Sequence, residues 1–172
     1  MSDVFDQQDE SPVILDPNTA NPRLALSDDL TSVIESGNKQ LLPDNPERFD
    51  WYRCVLGSEG FNSGTHCWDV EVKDSLNWEL GVTTASNQRK GFGFFDTDVW
   101  CVQYGFYQPP GFSVEQELER VRVYLDYDRG TVSFTDPYGS DWAAADHMTD
   151  ISTYRHTHTD ILLLYNTSIN NE

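Results

Sequence analysis

The sequence predicts an all-β domain, an antiparallel sandwich or barrel, on three observations. Aromatic residues make up 13% of its 172 residues, with five Trp, eight Tyr and nine Phe, and such side chains fit pleated, half-buried surfaces better than helices. Short apolar runs are separated by turn residues roughly every ten positions, the spacing of sandwich strands. Two central segments, 66–72 and 121–127, alternate apolar with polar residues, the period of a strand buried on one face. A chain of this length holds one well-buried core and is short for two.

Taken in order, residues 1–10 read as an acidic lead-in, the end of a linker from an upstream element. Val13-Ile14-Leu15 is stopped by Asp16-Pro17-Asn18, Leu24-Ala25-Leu26 by Ser27-Asp28-Asp29, and Ser32-Val33-Ile34 by Ser36-Gly37-Asn38. His66 to Val72 puts Trp68, Val70 and Val72 on a buried face, with Asp69 and Glu71 opposite. Trp78-Glu79-Leu80-Gly81-Val82 repeats that alternation, and Trp100 to Tyr104 is a third aromatic run. Val121 to Tyr127 reaches Asp128-Arg129-Gly130 and resumes as Thr131-Val132-Ser133-Phe134, a hairpin in which Gly130 supplies the positive φ of the turn. Ile161 to Tyr165 forms a last apolar strand. Ser113 to Arg120, short and charged, is the best helical candidate; no long helix, internal repeat or low-complexity tract is expected.

Composition narrows the function. The formal charge of −18, from 29 acidic and 11 basic residues, repels phosphate backbones, so nucleic acid and anionic membrane surfaces are not expected as partners. No stretch approaches the roughly 18 apolar residues of a membrane span, and the polar, acidic Met1–Glu10 does not read as a secretory signal. Cys54, Cys67 and Cys101 form no even-numbered framework and no Cys-x-x-Cys spacing. They are expected as free thiols in the cytoplasm. Asn166-Thr167-Ser168 is formally a glycosylation sequon, meaningful only in an exported chain.

Enzymatic chemistry finds no foothold. Gly57, Gly60 and Gly64 lack the Gly-Lys-Ser/Thr ending of a phosphate-cradling loop. There is no nucleophile elbow and no Cys-His pairing at a catalytic spacing. His156, His158 and Asp160 would share one strand face, yet the set is incomplete for zinc. No catalytic residue, cofactor or metal is expected.

Leu15-Asp16-Pro17, Trp68-Asp69-Val70-Glu71 and Leu125-Asp126-Tyr127-Asp128 fall in an order that resembles the LDP, WEVE and LDYE signatures of the PRY-SPRY family. The stretches between are similar too: Leu42-Pro43-Asp44-Asn45-Pro46-Glu47-Arg48-Phe49-Asp50, Val55 to Phe61, and Trp78 to Gly81 with Asn87, Arg89, Lys90 and Gly91. The resemblance runs from about residue 13 to residue 135 and weakens after that. It implies a bent two-layer antiparallel sandwich of the concanavalin-like jelly-roll kind, with a PRY segment (11–61) and a SPRY segment (62–172) fused into one unit. It also implies a module that binds a protein target in a groove of loops. In tripartite-motif ubiquitin ligases of innate immunity that module selects the target while an upstream RING does the chemistry. Immune receptors, butyrophilins and fish toxins carry the same module for assembly. The isolated domain is expected as a monomer, its parent as a dimer through a coiled coil. Trp68 and Trp78 are expected in the core, and Asp126 and Asp128 at the hairpin turn.

Carried over by position, the family's groove implies Glu79, Gln103, Gly105 and Ile169 as contact residues. Where an antibody-binding ligase of the family presents two tryptophans, this chain has Gln103 and Gly105, which argues against antibody Fc as the target. Tyr104 and Phe106, near Tyr107, Pro109, Pro110 and Phe112, are candidate anchors, with core packing as their alternative role. The run from Glu47 to Arg53 sets Phe49, Trp51 and Tyr52 beside Arg48 and Arg53. Arg48, Trp51 and Arg53 are the contact residues proposed there, with Trp51 exposed, while Phe49 and Tyr52 read equally well as covers of the sandwich edge.

Overall fold

The computed structural model describes residues 13–105, 112–114, 117–137, 149–150 and 160–166. In chain order its strands are β1 (Leu24–Leu26), β2 (Val33–Glu35), β3 (Cys54–Phe61), β4 (Thr65–Glu71), β5 (Trp78–Thr84), β6 (Val99–Tyr104), β7 (Phe112–Ser113), β8 (Arg120–Asp126), β9 (Thr131–Thr135), β10 (Thr149–Asp150) and β11 (Ile161–Asn166). A 3-10 turn, Phe94–Asp96, is the helical structure among the described residues.

The strands form a five-stranded sheet ordered β3-β11-β5-β6-β7, a four-stranded sheet ordered β10-β9-β8-β4 and the two-stranded β1-β2. Every pairing is antiparallel except the short β6–β7 contact. The expected all-β sandwich is formed because the period-two residues of the two larger sheets face each other. Trp78, Leu80 and Val82 of β5, Val102 of β6, and Ile161 and Leu163 of β11 meet Trp68 of β4, Val121, Val123 and Leu125 of β8, and Val132 and Phe134 of β9. Removing each such side chain from water stabilises the fold by about 1.5–3 kcal/mol.

The β8–β9 hairpin matches its sequence pattern. Gly130 has φ +71°, and Asp126 fixes the turn by accepting the Arg129 amide hydrogen at 3.0 Å. The Trp78 and Trp68 rings are both buried. The Ser113–Arg120 segment opens as β7 and enters β8 at Arg120, with no helix among its described residues.

Two expectations drawn from alternation need correcting. Alternation puts Glu79 on an exposed face, yet all seven residues of β5 are buried. β5 lies between β11 and β6, so its second face is covered as well as its first. Cys67, opposite Trp68 in phase, is likewise buried. The Val13-Ile14-Leu15 run forms no strand and contributes one bridge, Leu15 to Gly57.

Candidate protein-interaction surface

The outer face of the five-stranded sheet carries its own small core, and two loops supply it. Phe49, from the loop before β3, and Phe94, from the loop between β5 and β6, are fully buried against Cys54, Leu56, Leu162 and Leu164. Their rings meet edge to face, with centroids 4.8 Å apart at 87°. Such a contact adds about 0.5–1.5 kcal/mol beyond the area buried.

Four hydrogen bonds then join one loop to the other. Lys90 Nζ donates to Asp44 Oδ1 at 2.6 Å, and Arg89 donates to the Glu47 carbonyl at 3.1 Å. The Gly91 amide donates to Asp50 Oδ1 at 2.7 Å, and the Tyr52 hydroxyl donates to the Phe92 carbonyl at 2.9 Å. On top of this joined ridge stand Trp51, 63% exposed, and Phe92, 71% exposed, their centroids 5.7 Å apart at 67°. Two large rings left in water side by side, on backbone held by paired loops, form an exposed apolar patch.

Between the same two loops lies an open depression of about 610 Å³, lined by Pro46, Glu47, Ala85, Gln88, Arg89 and Lys90 among others. The Arg89 guanidinium spans it, donating also to the Ala85 carbonyl at 3.2 Å, and desolvation lowers its pKa from the ordinary arginine value. Lys90 holds the Asp44 carboxyl below its usual range. Burial, aided by the Asp96 charge, raises the Tyr52 phenol.

The other predicted residues divide. Arg48 is a correction: it is 5% exposed, and its guanidinium donates to the carbonyls of Pro43, Pro17 and Ala20 at 3.2, 3.0 and 2.7 Å. It clamps the loops before β1 and β3 together from within. Arg53, half-buried, forms an ion pair with Glu35 at 3.0 Å. Glu79 and Gln103 are directly paired across β5 and β6 but are 3% and 1% exposed, a correction to their expected place at the surface. Glu79 Oε2 accepts from Cys101 Sγ at 3.6 Å. Burial, followed by the Glu79 charge, raises the pKa of both Cys54 and Cys101 well above the usual thiol value.

Tyr104 is half-buried and stacks on Trp78, centroids 6.2 Å apart at 27°. Gly105 is exposed with φ +83°. Phe106 and Ile169, with Tyr107, Pro109, Pro110, His156 and His158, lie outside the described residues. Phe92 was missed. Its signal is the run Gly91-Phe92-Gly93-Phe94-Phe95, in which a ring flanked by two glycines stands at the tip of a turn.

Comparison with known proteins follows the same outline. The family model for the SPRY-associated domain, PRY, matches residues 13–61, and that for the SPRY domain matches residues 65–150. The chain is 44% identical over 131 residues to butyrophilin subfamily 2 member A2 of Mus musculus, covering 71% of this chain and 26% of that protein. It is 43% identical over 129 residues to the E3 ubiquitin-protein ligase TRIM11 of Rattus norvegicus, covering 71% of this chain and 28% of that protein. It thus spans about a quarter of the length of the curated relatives it matches. Among solved structures, the TRIM65 PSpry domain superposes with a TM-score of 0.70 at 18% identity, covering 90% of this chain and 84% of that one. At that identity the likeness bears on the fold alone.

Proposed function

The chain belongs to the PRY-SPRY family, and from that premise we propose that it is a target-recognition module that holds a partner protein against its paired loops. The observation that carries this reading is the exposed Trp51–Phe92 pair on a ridge joined by four hydrogen bonds. Recognition energy concentrates in aromatic anchors of this kind, and loops on a rigid sandwich are where binding residues gather. The contact set of this proposal is Trp51 and Phe92, with Arg53, Tyr104, Gly105, Phe106 and Ile169 as its outlying members. The PRY segment 11–61 and the SPRY segment 62–172 act as one unit on this reading, supported by the pairing of β3 with β11 across the whole chain.

The parent on this proposal is a tripartite-motif ubiquitin ligase of innate immunity, acting in the cytoplasm. This domain selects the target, and a separate part of the parent transfers ubiquitin. The three thiols, all free and buried, suit a reducing compartment. The butyrophilin likeness favours a second reading, the corresponding module of an immune receptor; the sequence upstream of this domain in its parent decides between them.

The test is a pull-down from stimulated cell extract with the wild-type domain and a Trp51→Ala/Phe92→Ala variant, both checked for folding. A protein retained by the first and lost by the second is the expected result. Equal recovery of every captured protein would move recognition away from this ridge.

A further inference from the structure

A second open groove, about 640 Å³ in volume, lies between β2 and β4. Leu80 and Leu163 of the main core and the half-buried Tyr165 form its floor, and Val33, Ile34 and Val70 its walls. Ile34 is 68% exposed, so an apolar wall stands open to water.

The strand register shows where free backbone groups lie on either side. Ser27 and Ser32 are hydrogen-bonded partners, as are Arg23 and Ser36. By the alternation of an antiparallel ladder, Ala25–Ile34 between them is bonded, and the Val33 N–H and C=O point away from β1. In β4, the Val72 amide donates to Glu119 and Gly64 accepts from Tyr127, which makes Val70–Val121 a bonded pair and turns the backbone groups of Asp69 and Glu71 away from β8. Among the described residues, neither Val33 nor Glu71 has a backbone partner on that outer side. An unpaired strand segment beside an apolar floor is a template for one more strand.

The rim sets the sign of the incoming chain. Asp69 is already held by Arg122, Nε to Oδ1 at 2.7 Å and Nη2 to Oδ2 at 2.9 Å. Exposed Glu71 and Asp74 remain, beside exposed Lys73, on a chain of net charge −18. We infer that this groove takes an extended segment of a partner protein in which basic residues alternate with apolar ones, its backbone paired along β4 at Asp69–Glu71. The period of two seats the apolar side chains on the floor and carries the cations to Glu71 and Asp74.

The probe is a fluorophore-labelled peptide of alternating lysine and valine, roughly eight residues long to match a typical strand, titrated by anisotropy at physiological salt. Saturable binding is expected, with none by the glutamate–valine counterpart and none by a backbone N-methylated version. Ile34→Asn leaves the net charge unchanged and should weaken binding at least about tenfold by removing an apolar wall; thermal melting confirms that it folds. Trp51→Ala should leave affinity unchanged, separating this groove from the loop ridge. Equal affinity of Ile34→Asn and wild type would reduce the contact to bulk charge and overturn the inference. So would slow hydrogen exchange of the Val33 and Glu71 amides in the free domain, since another part of the chain would then already pair there.

Discussion

The Tyr52 hydroxyl holds the Phe92 carbonyl at 2.9 Å, so a side chain next to Trp51 fixes the backbone that carries the second exposed ring. Tyr52→Phe removes that bond and keeps the edge-to-face contact with Phe95, whose centroid is 4.7 Å away at 90°. Stability should fall by about 1 kcal/mol or less. Affinity for the partner should fall through a faster off-rate as the Phe92 ring loses its fixed position. Urea unfolding and surface binding kinetics on the same variant separate the two effects.

Phe49 and Trp51 lie in the same loop and should behave oppositely. Trp51→Ala, at an exposed ring, should leave the unfolding free energy within about 0.5 kcal/mol of wild type while abolishing partner capture. Phe49→Ala empties a fully buried position and should cost about 3–5 kcal/mol. A large destabilisation by Trp51→Ala would show that the ring belongs to the core.

Arg48 should matter for folding rather than for binding. Arg48→Ala strips the donor from three carbonyls and should cost about 2–4 kcal/mol in urea unfolding. Arg48→Lys should recover only part of that, because a single ammonium cannot reproduce the planar fork. If Arg48→Ala kept full stability and lost only the partner, the guanidinium would have to be reassigned to the interface.

Gly81 sets the spacing of β5 and β6. A Cβ there would stand 2.1 Å from the Trp100 carbonyl oxygen and 2.6 Å from the Cys101 Cα, contacts that backbone atoms cannot relieve locally. Gly81→Ala should destabilise the domain by more than about 3 kcal/mol, seen as loss of soluble folded protein or a collapsed melting temperature. Near-wild-type melting would mean that the two strands can separate at that point.

The buried thiols give a pH dependence with a definite sign. Cys54 and Cys101 ionise far more readily in the unfolded chain than in the fold, so their contribution is fully present below the ordinary thiol value and is lost as pH rises above it. Stability should decline above roughly pH 9, by about 1.4 kcal/mol per thiol per pH unit at most. In the native state at pH 8, a thiol reagent should leave both residues unmodified until urea opens the structure.

The strands and the hairpin were legible because their signals are local: alternation over 66–72 and 121–127, and a glycine at the turn. Trp51 was legible because an aromatic crowded by arginines and carboxylates has no apolar phase to join. Its partner was not. The two glycines around Phe92 mark the tip of a turn, but that Phe94 rather than Phe95 is fully buried depends on Phe49 and Leu162 arriving from distant segments. Glu79 and Gln103 come from the family's groove by position, and alternation offers no check on them. Alternation reports which residues share a face, not whether that face is later covered, and in β5 both faces are.

The position of β11 has a consequence for how the chain is made. The last described strand fills the slot between β3 and β5, so β3 is not joined to the rest of that sheet until residues 161–166 have left the ribosome. Until then β3 and β5 each expose an apolar edge, the kind of surface that chaperones bind and that seeds aggregation. A nonsense codon anywhere before Ile161 would therefore yield an insoluble product, not a smaller working domain.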